Sequence, residues 1–308
     1  MSVLIECVPN FSEGRRKDVI EAIVKPFKET KGCYLFDYRA DEDHNRLVVS
    51  LCGEPGPICD ALMEASKVAV ANIDLNHHQG AHPRMGAIDV IPFTPIKGIT
   101  MEECVKLSHD FAERFNKELG VPVFYYEASS VRPDRTRLEQ VRKGQYEALK
   151  ELVKTDSSRQ PDVGEKTSLH PTAGGTVIGA RKFLVAFNVN LNTTNVEIAK
   201  IIGKRVRASN GGFATVKGMG VDLAEKGMVQ VSMNLVDYEQ TAMYRVLEFI
   251  RMEAARWGVT VNGTEVYGMI PAGAMLDSAA YYMQIDDFKN EQVLELKLLD
   301  LMQEESSR

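Results

Sequence analysis

The apolar residues of this chain fall into runs whose period changes along its length. Residues 3–8 (VLIECV) form a nearly unbroken apolar run, the mark of a buried strand. Val19, Ile20, Ile23 and Val24 then recur every three to four positions, which predicts an amphipathic helix over 16–27, with Ser12 ahead of it as a candidate cap. Two short strand patterns follow, CYLFDY and NRLVVSLCG, separated by a polar turn around Asp43. A long helix is predicted over 55–73, where Pro55 and Pro57 suit the first turn and Ile58, Leu62, Ala65 and Val68 share a face. Residues 87–93 (AIDVIPF) read as the next strand, 100–120 as a helix closed by Gly120, and 121–127 as a further strand. The stretch 130–166 breaks this rhythm with charges and turn formers and reads as a linker or surface excursion.

The pattern then restarts. Strand 182–191, helix 194–208, strands 213–223 and 228–236, helix 240–258 and strand 259–270 repeat the order β-α-β-β-α-β. Thr194 and Glu197 are spaced as a capping box. Two helical patterns, 272–283 and 291–302, complete the chain. The repeated order is that of the ferredoxin-like split β-α-β motif. The expectation is therefore an α+β protein of two tandem ferredoxin-like α/β sandwich subdomains, residues 1–178 and 179–308. Helices on one face of each sheet leave the other face to be buried, so the two sheets are expected to face each other across a ligand cleft.

Composition narrows the function. The length of 308 residues suits one large or two ordinary domains. A net charge of −6 with no long basic block argues against nucleic acid as a partner. No run reaches the ~20 apolar residues of a membrane helix. Five cysteines, an odd number with no C-x-x-C pair, fit a reduced chain. The start has no basic leader, which makes a cytoplasmic location the expectation.

Candidate chemistry concentrates in HHQGAHPRMGAIDVIPF, residues 77–93, which holds three of the six histidines. His78 and His82 have the i,i+4 spacing of a helical metal pair, but Gly80 and Pro83 oppose a helix and no third ligand lies nearby, so no metal is expected. A turn with incidental histidines and a catalytic histidine remain as readings. His82 is the best catalytic candidate, because Pro83 and Gly86 restrict its backbone and an imidazole can both take and give a proton near neutral pH. Arg84 beside it has the fork to hold a carboxylate. Asn10 and Glu13 project from the turn after the first strand, where capping and ligand binding are both open. Asn45 and Arg46 lie in a hairpin turn or a ligand loop. The glycine-rich 170–181 lacks the Lys-Ser/Thr ending of a phosphate loop and reads as a loop that lets a flat ligand approach the backbone. Asn188 and Asn190 alternate with Phe187 and Val189, so one strand face is expected to line a polar cleft.

The stretches ECVPNFSEGR, HPRMGAIDVIPF, RKGQYEAL, PTAGGTVIGARKFLVAFNVNL and QVSMNLVDYE together resemble glutamate formiminotransferases, essentially from end to end. The resemblance implies transfer of a formimino group from N-formimino-L-glutamate to tetrahydrofolate, as in histidine degradation, giving 5-formiminotetrahydrofolate and glutamate. It implies tetrahydrofolate as co-substrate, a homodimer, and His82 as the catalytic histidine. It assigns folate contact to Gly164, Glu165, Lys166, Thr167, Ser168, Leu169, His170, Pro171, Thr172 and Ala173. Asn10, Arg46, Arg84 and Arg181 become candidates for the donor's carboxylates, and Glu13 or Asp89 for amidinium charge. Animal members carry a cyclodeaminase domain beyond this one. This chain ends at Arg308 without it, so release of glutamate without matching ammonia is expected, with a separate cyclodeaminase as a conceivable partner. Formyl transfer at the same site and folate binding without turnover stand as the alternatives.

Overall fold

The computed structural model of the chain describes residues 3–306. It divides into two compact units, Met1–Arg181 and Lys182–Arg308. The first contains β1 (Leu4–Cys7), β2 (Asn10–Phe11), α1 (Lys17–Glu29), β3 (Cys33–Asp41), β4 (Arg46–Gly53), α2 (Pro55–Asn72), β5 (Ile88–Lys97), α3 (Met101–Leu119), β6 (Val123–Tyr125), α4 (Leu138–Val141), α5 (Gln145–Thr155) and β7 (Thr176–Ala180). The second contains β8 (Val185–Leu191), α6 (Val196–Arg205), β9 (Val216–Leu223), β10 (Met228–Leu235), α7 (Met243–Ala255), β11 (Val261–Tyr267), α8 (Ala272–Met283) and α9 (Leu294–Ser306).

Seven strands form the first sheet. β1 and β2 are two pieces of one interrupted strand, since both lie between β4 and β5 in antiparallel register. β3 flanks β4, while β7 pairs parallel with both β5 and β6. β7 is the main departure from the sequence reading. Its residues TVIGA sit inside the stretch read as a ligand loop, yet all five are buried. The short apolar run is masked in sequence by the glycines around it. An expected boundary after residue 178 would cut through this strand, whereas the contacts divide the chain after Arg181.

The amphipathic faces of α1, α2 and α3 cover one side of this sheet. Val19, Ile23 and Phe27 from α1, Ile58 and Leu62 from α2 and Phe111 and Phe115 from α3 share a core with Ile5, Leu51, Ile91 and Phe93. The opposite side is covered near β5, β6 and β7 by the supposed excursion: Val141, Leu149 and Val153 pack on Val90, Phe124, Tyr126 and Val177. Each such side chain contributes about 1.5–3 kcal/mol when fully buried. The excursion is pinned by a buried ion pair, Arg135 to Asp162 at 2.9 Å, and by Arg159, which donates to the carbonyls of Gln140, Val141 and Lys143. It is thus a structured layer rather than a linker, because its few apolar residues are spaced to reach one side while its many charges pair locally.

The second sheet is wholly antiparallel, in the order β11-β8-β10-β9. Phe187, Val189 and Leu191 from β8 and Val229, Val231 and Met233 from β10 pack with Ile198, Ile202, Val246 and Ile250 of α6 and α7. Two local expectations change. Asn195, not Thr194, caps α6 by accepting from the Glu197 amide. Ser12 does not cap α1; its hydroxyl donates to the Gly86 carbonyl at 2.7 Å. No helix among the described residues is long and apolar enough to cross a membrane.

Candidate active site

Three connecting segments of the first unit interlock, and His82 sits where they meet. Asn45, held at φ +48°, accepts from the Gly14 amide at 2.8 Å and donates to the Gln79 carbonyl at 2.9 Å. One carboxamide thereby ties the turn before α1 and the β3–β4 turn to the histidine loop. The backbone amides of Ala81 and His82 reach the carbonyls of Asp43 and His44. On its other flank the histidine loop is joined to residues 173–175, through Ala87 N to Ala173 O at 2.8 Å and Gly175 N to Met85 O at 3.1 Å. This approach leaves no room for side chains. A Cβ on Gly86 would lie 2.3 Å from the Gly175 carbonyl oxygen, and one on Gly174, at φ +71°, equally close to that of Met85. The glycines expected to admit a flat ligand serve the protein's own backbone instead.

His82 is buried, and its Nε2 lies 3.3 Å from Oδ2 of Asp89, a long but workable hydrogen bond. Asp89 is 1% exposed. Its Oδ1 accepts from the Met85 amide at 2.9 Å, and its Oδ2 also receives Nη2 of Arg142 in a close ion pair. Burial pushes the Asp89 carboxyl up, but the Arg142 guanidinium, His82 and the Met85 amide outweigh it and hold the group below its ordinary range. An ionised carboxylate can only accept, so neutral His82 carries its proton on Nε2 and its lone pair on Nδ1. Burial lowers the His82 pKa below its usual value; Asp89 pulls it up, and the positive charges of Arg142 and Arg46 pull it down. That direction favours the neutral form of the ring.

Arg84 does not stand ready for a substrate. Its Nε donates to Nδ1 of His78, one terminal nitrogen to Gln145 and Glu147, and the other to the His78 carbonyl and Glu147. All five donors of the fork have protein acceptors, and the carboxylate it grips bidentately is the protein's own. His78 is fixed as the neutral tautomer with its proton on Nε2, which donates to the Asn45 carbonyl at 3.1 Å. Burial lowers its pKa, and Arg84 adds to that.

The other expected residues are placed as follows. Glu13 is buried and committed: Oε1 accepts the amides of Arg15 and Arg16, and Oε2 the Arg16 side chain at 2.6 Å, so it secures the entry to α1. Asn10, half-buried on β2, donates to the Val8 carbonyl. Arg46 opens β4 opposite Asp41. Arg181 follows β7, its amide donating to the Phe93 carbonyl, and its charge acts on Glu6. Within residues 164–173, Gly164 takes φ +92° and Glu165, Lys166, Thr167 and Ser168 are exposed. Lys166 donates to the carbonyls of Pro161 and Asp162, and Glu165 accepts from Thr167. Leu169 packs against the core, while Nδ1 of His170 accepts the Ala173 amide at 3.0 Å. Pro171 and Thr172 give their carbonyls to Asn76 and Leu75, docking this stretch beside the histidine loop. In the second unit, Asn190 donates to Glu265 and accepts from Gln230, and Asn188 accepts from the Met233 amide.

Two groups escaped the sequence reading. Arg142 lies 53 residues from Asp89 in a segment taken for surface. Glu6, within the run 3–8 read as a buried strand, is a buried acid between Cys52 and Thr94; burial raises its pKa to about 7, against the pull of Arg181 and Thr94. A charged residue inside a strand-like run is the signal that marks it. No group of three or more His, Cys, Asp or Glu among the described residues could hold a metal.

The chain matches the Formiminotransferase domain, N-terminal subdomain, over residues 4–181, and the Formiminotransferase domain over 186–302. It is 49% identical to a glutamate formimidoyltransferase of Streptococcus pyogenes, over 97% of this chain and 100% of that one. It is 43% identical to one from Thermoplasma acidophilum, over 96% and 97% of the two chains. It is 42% identical to the mouse formimidoyltransferase-cyclodeaminase, over 92% of this chain and 53% of that one. With both subdomain families matched in order across nearly its whole length, this chain belongs to the formiminotransferase family.

Proposed function

We infer that this protein is a glutamate formimidoyltransferase, which moves the formimino group of N-formimino-L-glutamate to N5 of tetrahydrofolate and releases L-glutamate, as in histidine degradation. The observation that carries the reading is the 49% identity to a glutamate formimidoyltransferase across the full length of that relative. The site described above supplies chemistry that fits. N5 attacks the cationic amidine carbon, a C–N5 bond forms, and N5 must lose a proton. The bond from carbon to the glutamate nitrogen then breaks, and that nitrogen must gain one. A neutral imidazole that takes the N5 proton on Nδ1 and returns it to the leaving nitrogen balances both steps. His82 is the proposed shuttle, with Asp89 fixing its tautomer and stabilising the imidazolium between the two transfers. A neutral ring also suits a cationic donor, which an imidazolium would repel.

The docking of residues 164–173 beside the histidine loop supports their proposed role in holding the folate. In the second unit, the face bearing Asn188, Asn190 and Gln230 is proposed to offer amide donors and acceptors to a ligand. The strand order of that unit, with each helix crossing over one intervening strand, supports a ferredoxin-like assignment. The decisive experiment is a donor panel: N-formiminoglutamate and N-formylglutamate, each with tetrahydrofolate, following glutamate release. Turnover with formiminoglutamate at least a hundredfold above formylglutamate is expected. The reverse preference would make the protein a formyltransferase, and turnover with neither would leave only binding.

A further inference from the structure

The stretch RKGQYE, residues 142–147, has no part in the transfer as described so far, yet it grips the histidine loop at four points. Arg142 reaches Asp89, Gln145 and Glu147 reach the Arg84 guanidinium, the Tyr146 amide donates to the Arg84 carbonyl at 2.9 Å, and the Tyr146 hydroxyl donates to Asn76. Gly144 at φ +86° and Gln145 at φ +55° bend the chain between α4 and α5 so that Arg142 and Glu147 both point at the loop. Arg159 fastens this bend from behind through the carbonyls of Gln140, Val141 and Lys143. Two guanidinium–carboxylate pairs are therefore built across one contact, and only one of them involves the partner of His82.

We propose that Arg142 is a positioning residue for proton transfer: by sharing Oδ2 of Asp89 with His82, it holds the carboxylate ionised and fixed while presenting His82 as a neutral base with its lone pair on Nδ1. This deepens the reading of the protein as a formiminotransferase and rests on it. The physical reason is competition for one oxygen. A carboxylate bound to histidine alone strengthens the imidazolium, which would leave the ring charged more of the time near neutral pH. A guanidinium on the same oxygen, 14% exposed in its own side chain, draws off part of that negative charge without removing it. The 3.3 Å separation of His82 from Asp89, longer than a strong charge-assisted bond, accords with the shared oxygen. Charged groups act on His82 from three directions: Arg46 on β4, Asp89 on β5 and Arg142 after α4. Arg142 and Arg46 oppose its protonation and Asp89 favours it.

The test is the pH profile of kcat/KM for formiminoglutamate at saturating tetrahydrofolate, paired with an NMR titration of the His82 imidazole in the unliganded enzyme. In Arg142→Gln the acid limb and the imidazole titration should both move to higher pH, by about one pH unit. In Asp89→Asn both should move to lower pH. Arg142→Lys, which keeps the charge, should hold the titration near that of the unsubstituted enzyme while kcat falls more than tenfold and KM changes less than threefold. An imidazole titration that stays in place in Arg142→Gln, or moves the same way as in Asp89→Asn, would overturn the proposal. Arg142→Lys decides in the same way if the Gln variant does not fold: a titration displaced as far as one pH unit despite the retained charge overturns the idea. Because the titration needs no turnover, its outcome is separate from the donor panel.

Discussion

The histidine loop of the first unit and the amide-bearing face of the second sheet are both polar, but they are polar in different ways. Around His82 the polarity is full charge removed from water: Asp89 at 1% exposure, Arg84 at 5% and Glu13 at 3%. Every one of these is matched by an opposite charge or by several backbone groups. On the second sheet the polarity comes from amides, Asn190 and Gln230, joined to the partly exposed Glu265 and Lys226. A buried charge is costly unless its geometry is fixed, so the first arrangement makes a rigid site able to set a proton's affinity. Amides have no titration near neutral pH, so the second arrangement offers hydrogen bonds whose strength does not depend on a nearby proton.

The contrast yields graded tests. The largest effect is expected for His82→Ala, which should lower kcat about 10²–10⁴-fold with a small change in folate affinity. Steady-state kinetics and folate titration check this, and turnover within threefold of the unsubstituted enzyme would remove His82 from the mechanism. In the unsubstituted enzyme, the acid limb of kcat/KM should be centred below the ordinary imidazole value of about 6.5, because burial depresses the His82 pKa. A limb centred above pH 7 would contradict a neutral resting ring.

Arg84→Met should act on stability, by about 2 kcal/mol in urea unfolding. That is less than the 3–5 kcal/mol of a fully buried pair, because Glu147, 62% exposed, can rehydrate. A variant of undiminished stability with a greatly raised KM for formiminoglutamate would instead return Arg84 to the substrate. Asn190→Ala should cost about 1 kcal/mol, since Gln230 keeps Glu265 as a partner. The smallest effect is expected from dialysis against a strong chelator, which should leave activity unchanged; loss restored by zinc or magnesium would demand a metal site.

The comparison also separates what could be read before folding. Periodicity located α1, α2 and α3 and the alternating strands β4 and β10, because each packs one face and the side-chain period records it. The motif around His82 carried the family and the candidate histidine. β7 was missed because a strand buried on both sides has no alternation, and its flanking glycines imitate a loop. The excursion 130–166 was misread because its charges look solvated until their partners are known.

The sequence by itself determined most of the helices and strands outside residues 130–181, the family, and which histidine to suspect, since these rest on local patterns within a dozen residues. Only the tertiary structure decided what each charge does. It turned Arg84 and Glu13 from ligand candidates into internal fastenings, and it brought Arg142 across 53 residues to the oxygen that His82 uses. The reason is physical. A charged side chain's role depends on which opposite charge shares its low-dielectric surroundings, and that neighbour is chosen by the path of the whole chain.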